Sequence, residues 1–390
     1  MSRWSRIGGR VGFRPATLAG CIVCSLLLPA PFEAAAGPLT NVHTVFIIVL
    51  ENKDWSGIRG NPDCPYINDT LLPLASQADQ YFTPNDLHPS EPNYLWLEAG
   101  TNFGVFNDDN PDKNHFASTN HLVNLLENAG IDWKTYQESY QPPDSPLTDH
   151  YPYAARHDPF VFFDDVAQNP ARLAAHVRPY SELATDLRDR AVAPYNFIVP
   201  NVTNDMHSLA KGSQSKEKQG DEWLRREVPG ILASDAYTNN GALFIVWDEG
   251  HKAGPIGLIL LSPLAKGGGY RGQVPYTHSS LLRTIQEVFA VQPFLGDAAN
   301  ATDLGDLFQF QWLATAPQPG LSLSRNPIDG TVSLDVGGVA AGDTVLLQTS
   351  NDLLDWFTVS TNLANAATFH LTVQAPSNGL QNFYRTVELR

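Results

Sequence analysis

Three apolar runs stand out along the chain, each closed abruptly by polar residues. Residues 41–50 read Asn-Val-His-Thr-Val-Phe-Ile-Ile-Val-Leu, residues 241–247 Gly-Ala-Leu-Phe-Ile-Val-Trp, and residues 256–262 Ile-Gly-Leu-Ile-Leu-Leu-Ser. Continuous runs of this kind fill strands buried on both faces, as in the middle of a parallel sheet. Residues 195–199 form a shorter run of the same type. Between them, helix-like patterns cover 120–129, 181–190, 221–234 and 279–289, the last with apolar residues at Leu281, Leu282, Ile285, Val288 and Phe289. Strands alternating with helices predict an α/β fold with a mostly parallel sheet.

The pattern changes at both ends. After Trp312, Ala314-Thr-Ala-Pro-Gln-Pro-Gly320 reads as a linker over 313–320. Residues 321–390 then alternate apolar and polar positions, with strand-like stretches at 332–336, 344–349, 356–360, 369–373 and 383–387 separated by turn residues. That predicts a small all-β sandwich. His370 is its only histidine, and it carries no carboxylate pair or glycine loop. A surface-targeting, carbohydrate-binding or spacer role fits it equally well. At the other end, Arg3, Arg6, Arg10 and Arg14 precede an apolar stretch over 16–31, and Ala34-Ala35-Ala36 offers a cleavage site before Gly37. Residues 1–36 are therefore expected to be a signal peptide, and the protein secreted, periplasmic or on the cell surface. Leu18-Ala19-Gly20-Cys21 has the composition of a lipoprotein box but starts the apolar run instead of ending it. No segment is long enough for an ordinary membrane span. Cleavage would leave Cys64 as the one cysteine, so no internal disulfide is expected in the mature chain.

Composition narrows the partners. With 43% hydrophobic residues over 390 positions, the chain can bury a large core. The formal charge is −16, from 41 acidic and 25 basic residues, which argues against nucleic acid as a partner. A small phosphorylated substrate remains compatible, because a bound cation reverses the field inside one pocket.

Candidate chemistry lies where the apolar runs stop. Ligands collect outside the carboxyl ends of strands in open α/β sheets. The run ending at Leu50 passes into Glu51-Asn52, and the run ending at Trp247 into Asp248-Glu249. Oxygen ligands of this type suit Mg²⁺, Ca²⁺ or Mn²⁺; the same residues also cap turns and helices. Leu87-His-Pro-Ser-Glu-Pro-Asn-Tyr94 holds Ser90 between two prolines at a helix start, where it would serve as a metal-activated nucleophile or merely as a cap. Pro200-Asn-Val-Thr-Asn-Asp-Met-His-Ser208 follows another strand end and carries Asn204, Asp205 and His207. His157 and His278 lie in further loops. A single histidine is usually structural; three beside strand ends, among carboxylates, point to chemistry.

These segments together resemble the phosphoesterase family, which includes secreted acid phosphatases and bacterial phospholipases C and is related to the alkaline phosphatase superfamily. The resemblance rests on Glu51-Asn52, His88-Pro-Ser-x-Pro-Asn-Tyr94, His157-x-Pro-Phe160, Pro200-Asn-x-x-Asn-Asp-Met-His207, Trp247-Asp-Glu249 and Thr277-His-Ser279, in that order. Gly220-Asp-x-Trp-Leu224 and Asp303-Leu-Gly-Asp-Leu-Phe308 extend it, so that it spans about residues 41–307. It implies a three-layer α/β/α sandwich, with residues 37–312 as the catalytic domain. It further implies that Glu51, Asn52, Ser90, Asp248 and Glu249 bind one divalent ion, Mg, Ca, Mn or Zn. Ser90 would be the nucleophile, forming a phosphoserine intermediate. His157, Asp205, His207 and His278 would bind phosphoryl oxygens or supply a proton, and His88 and Asn93 would contact substrate. The first motif continues Lys53-Asp54-Trp55, where the family often has Arg or His and then Ser or Phe. The compact catalytic region favours a phosphomonoesterase of the acid phosphatase type, with phosphoinositides or other phospholipids as further candidate substrates. A phospholipase C-type diesterase and a non-catalytic surface or adhesion protein are the alternatives.

Overall fold

The computed structural model describes residues 39–309 and, beyond them, the segments 320–325, 331–337, 344–350, 357–363, 368–374 and 383–389. The signal peptide expected over 1–36 lies outside the described residues, as does the linker except Gly320, which opens a strand.

One eight-stranded sheet organises the main body. Its strands are β1 (Thr44–Leu50), β2 (Ser76–Ala78), β3 (Trp133–Gln137), β4 (Val177–Pro179), β5 (Tyr195–Val199), β6 (Gly241–Trp247), β7 (Leu258–Leu261) and β8 (Tyr270–Gly272). Their order across the sheet is β4-β3-β5-β1-β6-β7-β2-β8. The two strongest apolar runs are its central strands, β1 and β6, and β6 is buried at every position. Burial on both faces requires helices on both sides, the three-layer arrangement of an α/β fold. Those helices include α1 (Ser90–Ala99), α2 (Leu122–Asn128), α3 (Leu183–Asp189), α4 (Lys216–Leu232) and α5 (His278–Val288). α1 packs on α5, and α3 on α4.

Only β7 runs against the other seven strands. Its apolar run reads like that of its neighbours, but no helix lies between Trp247 and Leu258. A parallel neighbour would need a crossover, usually helical, and the short loop here returns the chain antiparallel instead.

The C-terminal segments are all strands: β9 (Gly320–Arg325), β10 (Thr331–Gly337), β11 (Thr344–Ser350), β12 (Phe357–Leu363), β13 (Thr368–Gln374) and β14 (Phe383–Leu389). They form two antiparallel three-stranded sheets, β9-β10-β13 and β12-β11-β14.

Candidate active site

Strand register sets the site. β1 pairs with β6 from Thr44↔Gly241 to Leu50↔Trp247, so Glu51 and Asp248 leave the sheet side by side. The Asn52 and Glu249 amides both donate to Asp248 Oδ1, at 3.0 and 2.6 Å. Asn52 adopts a left-handed φ of 48°, which Asn tolerates better than most residues. β5 flanks β1 on its other side, and the loop after it brings in Asp205. The Asp205 carbonyl accepts the Glu51 N–H at 2.7 Å, and its Oδ1 accepts the His207 N–H at 2.7 Å. Met206 between them has φ 80°, the kind of backbone strain that collects at functional sites. Gly220 of α4 makes room for this turn, since a Cβ there would lie 2.4 Å from Met206 Cγ.

Ser90 is the first residue of α1, and its Oγ donates to Glu51 Oε2 at 2.8 Å. One turn on, Tyr94 stacks flat on the His157 ring at 5.0 Å. That ring lies between two carboxylates: Nε2 is 3.3 Å from Glu51 Oε1 and Nδ1 3.5 Å from Asp205 Oδ2. One ligand atom from each of Glu51, His157 and Asp205 falls within 4.8 Å of the others.

This cluster is poorly matched to its own charge. Burial, reinforced by the Asp248 and Asp205 charges, pushes Glu51 well above the usual carboxylate range. Burial does the same to Asp205 and pushes Asp248 to about 7. Burial and the neighbouring Arg156 and His207 charges hold His157 well below its ordinary value. Glu51 Oε1, Asn52 Oδ1, Asp205 Oδ2, Asp248 Oδ2 and His157 Nε2 are all buried without a hydrogen-bond partner. Buried polar atoms are ordinarily paired, and each orphan costs about 1–3 kcal/mol. Open oxygens beside an imidazole fit a divalent cation, whose charge would draw the raised carboxyl values back down and keep the His157 ring neutral.

The structure therefore brings Glu51, Asn52, Ser90, Asp248, His157 and Asp205 together. Glu249 is turned aside: its Oε2 is 2.5 Å from His88 Nδ1 and accepts from Asn93 Nδ2 at 3.4 Å. Burial and the Asp248 charge push it to about 9. His207 is half-buried, its ring edge-on to His157 at 6.2 Å, and burial lowers it to about 4. His278 lies behind the cluster. Its Nε2 donates to the Asp248 carbonyl at 2.6 Å and its Nδ1 accepts from Tyr81 at 3.0 Å, so both nitrogens are engaged by buried partners. The Lys53-Asp54-Trp55 segment serves packing. Lys53 pairs with Glu217 at 3.3 Å, and the Trp55 ring packs against Trp247 and donates to Asp79.

Sequence reasoning included Tyr94 in a motif without giving it a role, and passed over Tyr81. Tyr94 had a signal, since it sits four residues after Ser90 on the same helix face. Tyr81 had none. A cavity of about 620 Å³ opens beside α3 and α4, with Leu183, Leu187, Arg226 and Ile231 in its lining. It shares no residue with the strand-end cluster.

Comparison with known proteins gives the chain a family. Residues 76–253 match the Phosphoesterase family. The chain is similar to a phosphatidylinositol-3-phosphatase of Mycobacterium tuberculosis, 31% identical over 304 residues that cover 76% of this chain and 94% of the relative. It is also similar to a probable acid phosphatase of Kluyveromyces lactis, 28% identical over 54% of this chain and 48% of that protein. An acid phosphatase of Aspergillus fumigatus is 25% identical over 66% of this chain and 58% of its own length. The chain thus spans about half the length of these fungal relatives. It belongs to the phosphoesterase family and is a hydrolase acting on phosphate ester bonds.

Proposed function

We propose that the protein is an exported phosphomonoesterase in which Ser90 is the nucleophile. The observation that carries this reading is the Ser90 hydroxyl at the start of α1, donating to Glu51 within a buried cluster of open acceptors. Ser90 Oγ would attack phosphorus as the ester's P–O bond breaks, giving phosphoserine and the free alcohol. Water would then attack phosphorus and release phosphate, restoring the hydroxyl. Glu51 Oε2, which accepts the serine hydroxyl's hydrogen bond, would take the proton in this reading. His207, half-buried beside His157, would bind a phosphoryl oxygen or supply a proton to the leaving oxygen. Glu51, Asn52, Ser90, Asp248, His157 and Asp205 are the residues that would hold a divalent ion, and Glu249 would join them after releasing His88. Such an ion would neutralise charge on the transferring phosphoryl group.

Residues 37–312 form the catalytic unit in this reading, 313–320 the linker and 321–390 an accessory β domain, with 1–36 removed on export. The N-terminal sequence of the mature protein tests the export. A second reading, a phosphoinositide monoester as substrate, is favoured by the similarity to the mycobacterial phosphatidylinositol-3-phosphatase over nearly its whole length.

The direct test is hydrolysis of p-nitrophenyl phosphate and bis(p-nitrophenyl) phosphate by purified protein, before and after chelation. Monoester turnover that chelation abolishes and Mn²⁺, Mg²⁺, Ca²⁺ or Zn²⁺ restores is expected. Diester turnover above monoester turnover would replace this reading with a phospholipase C-type one. No turnover of either would leave a non-catalytic protein.

A further inference from the structure

We propose that Glu138 is a positioning residue of the site, holding Asp205 and His207 in place through the loop that carries them. Glu138 directly follows β3, the strand next to β5. Its carboxylate adds its charge to the burial that raises Asp205, but its hydrogen bonds do not go to the strand-end cluster. It accepts three hydrogen bonds from the neighbouring loop instead: from the Asn201 N–H at 2.8 Å and from Asn204 Nδ2 at 2.9 and 3.0 Å. Its own N–H donates to the Val199 carbonyl at 3.0 Å, so backbone and side chain together close on the end of β5.

The clamped loop is hydrogen-bonded within itself from that point on. Asn201 Oδ1 accepts from Thr203 N at 3.0 Å and Asn204 N at 3.2 Å, and the Asp205 N–H donates to the Asn201 carbonyl at 2.9 Å. Asp205 then reaches Glu51 through its carbonyl and His207 through its carboxylate. A continuous set of hydrogen bonds therefore runs from the end of β3, through Glu138, Asn201 and Asp205, to the backbone N–H groups of Glu51 and His207. The left-handed Met206 has to be held against its own preference, and a fixed loop base does that. Partners one layer behind a ligand commonly set its orientation, and their loss costs roughly 10–100-fold in metal affinity or activity.

The inference rests on Asp205 and His207 being site residues, and its test separates the two. The full chain is compared with Glu138→Ala, Glu138→Gln and Asn204→Ser for p-nitrophenyl phosphate kcat and KM, for binding of Mn²⁺ alone by calorimetry, and for Tm. Glu138→Ala is expected to lower kcat and weaken Mn²⁺ binding by about 10–100-fold. Glu138→Gln is expected to restore most of both. Its amide oxygen still accepts from Asn201, and its NH₂ donates to Asn204 once that amide is turned over. Asn204→Ser, which removes two of the three bonds, should fall between, and it carries the test if the alanine variant fails to fold. A wild-type protein that binds Mn²⁺ but hydrolyses nothing defeats the catalytic reading and leaves the clamp to be judged on Mn²⁺ affinity. Variants that lose Tm while keeping kcat and Mn²⁺ affinity overturn the proposal, as does a glutamine variant no better than alanine.

Discussion

Helix α1 has a buried cluster of acids and a histidine at each end, and the two are built in opposite ways. At its N-terminus, Ser90 meets Glu51, whose neighbours are His157, Asp205 and Asp248. Toward its C-terminus, Glu98 meets His121, which also meets Asp165. The second cluster is matched except at one oxygen, Glu98 Oε2, which is buried without a partner. His121 Nδ1 is 2.9 Å from Glu98, and its Nε2 is 3.2 Å from both Asp165 oxygens. Arg172 and Asn124 also donate to Asp165, at 2.9 and 2.6 Å. Burial opposes the charge on His121, but the Asp165 and Glu98 carboxylates outweigh it and hold the ring above its ordinary value. At the other end burial prevails, and His157 is held well below. One cluster supplies its own counter-charge; the other leaves acceptors open where substrate chemistry is expected. Burial of acids and a histidine does not by itself mark an active site. Unmet acceptors do.

The largest test of that contrast is at Ser90. Ser90→Ala should cut monoester kcat by about 10⁴-fold or more while leaving circular dichroism unchanged, because it removes the nucleophile and only one hydrogen bond. Full activity in the alanine variant would transfer the nucleophile's role elsewhere.

Glu51 tests the sense of the imbalance. Glu51→Gln should lower turnover by at least about 100-fold, since it takes charge from the site that would hold the ion. In ion-free protein the same change should raise Tm, because a buried acid already pushed well above its usual range is replaced by a neutral group of the same shape. His121→Leu should do the reverse. It strands Glu98 without a counter-charge and should cost about 3–5 kcal/mol in urea unfolding, with little change in kcat. If both variants shift ion-free stability in the same direction, the two clusters are not electrostatic opposites.

The pH dependence follows from the same pair. The folded value of His121 lies above its ordinary one near 6.5, so its stabilisation is complete below about pH 6.5 and is lost as pH rises through the folded value. Asp165 is held below its usual range; burial opposes this, and contact with His121 overcomes it. Its stabilisation is present above about pH 4 and is lost as pH falls through the folded value. Unfolding free energies of ion-free protein should therefore carry an alkaline loss that His121→Leu removes. An identical pH profile in the variant would show that this histidine is not the titrating group.

Much of this was legible in the sequence because long apolar runs have one plausible use. The runs at 41–50 and 241–247 became the paired central strands, and their register put Glu51 beside Asp248. The three-residue strands β2, β4 and β8 left no such trace; Ser76-Gln-Ala78 and Val177-Arg-Pro179 are too short and too polar to show a period. The direction of β7 depends on the length of a connection rather than on the strand's own residues. The His121 cluster was equally hidden, because a histidine paired across 23 and 44 residues resembles any other until the chain is folded. Among the site residues, motif order could group His278 with the others but could not show that both its nitrogens are taken.

Asp221 is the smallest and most local case. It sits in Gly220-Asp-x-Trp-Leu224, a segment that travels with the reactive motifs in sequence, yet its carboxylate accepts the Tyr66 and Ile67 N–H groups at 2.9 and 2.7 Å. These amides begin a short helical turn, so Asp221 caps it from a distant part of the chain. Its neighbour Gly220 supports the Asp205 loop by its lack of a side chain, and Trp223 and Leu224 fill the core. The whole segment then supports the site without entering it. Asp221→Asn keeps one acceptor and should cost about 1 kcal/mol in urea unfolding, with kcat/KM unchanged within twofold. A tenfold fall in kcat/KM at unchanged stability would move Asp221 from the supporting framework into the reactive cluster.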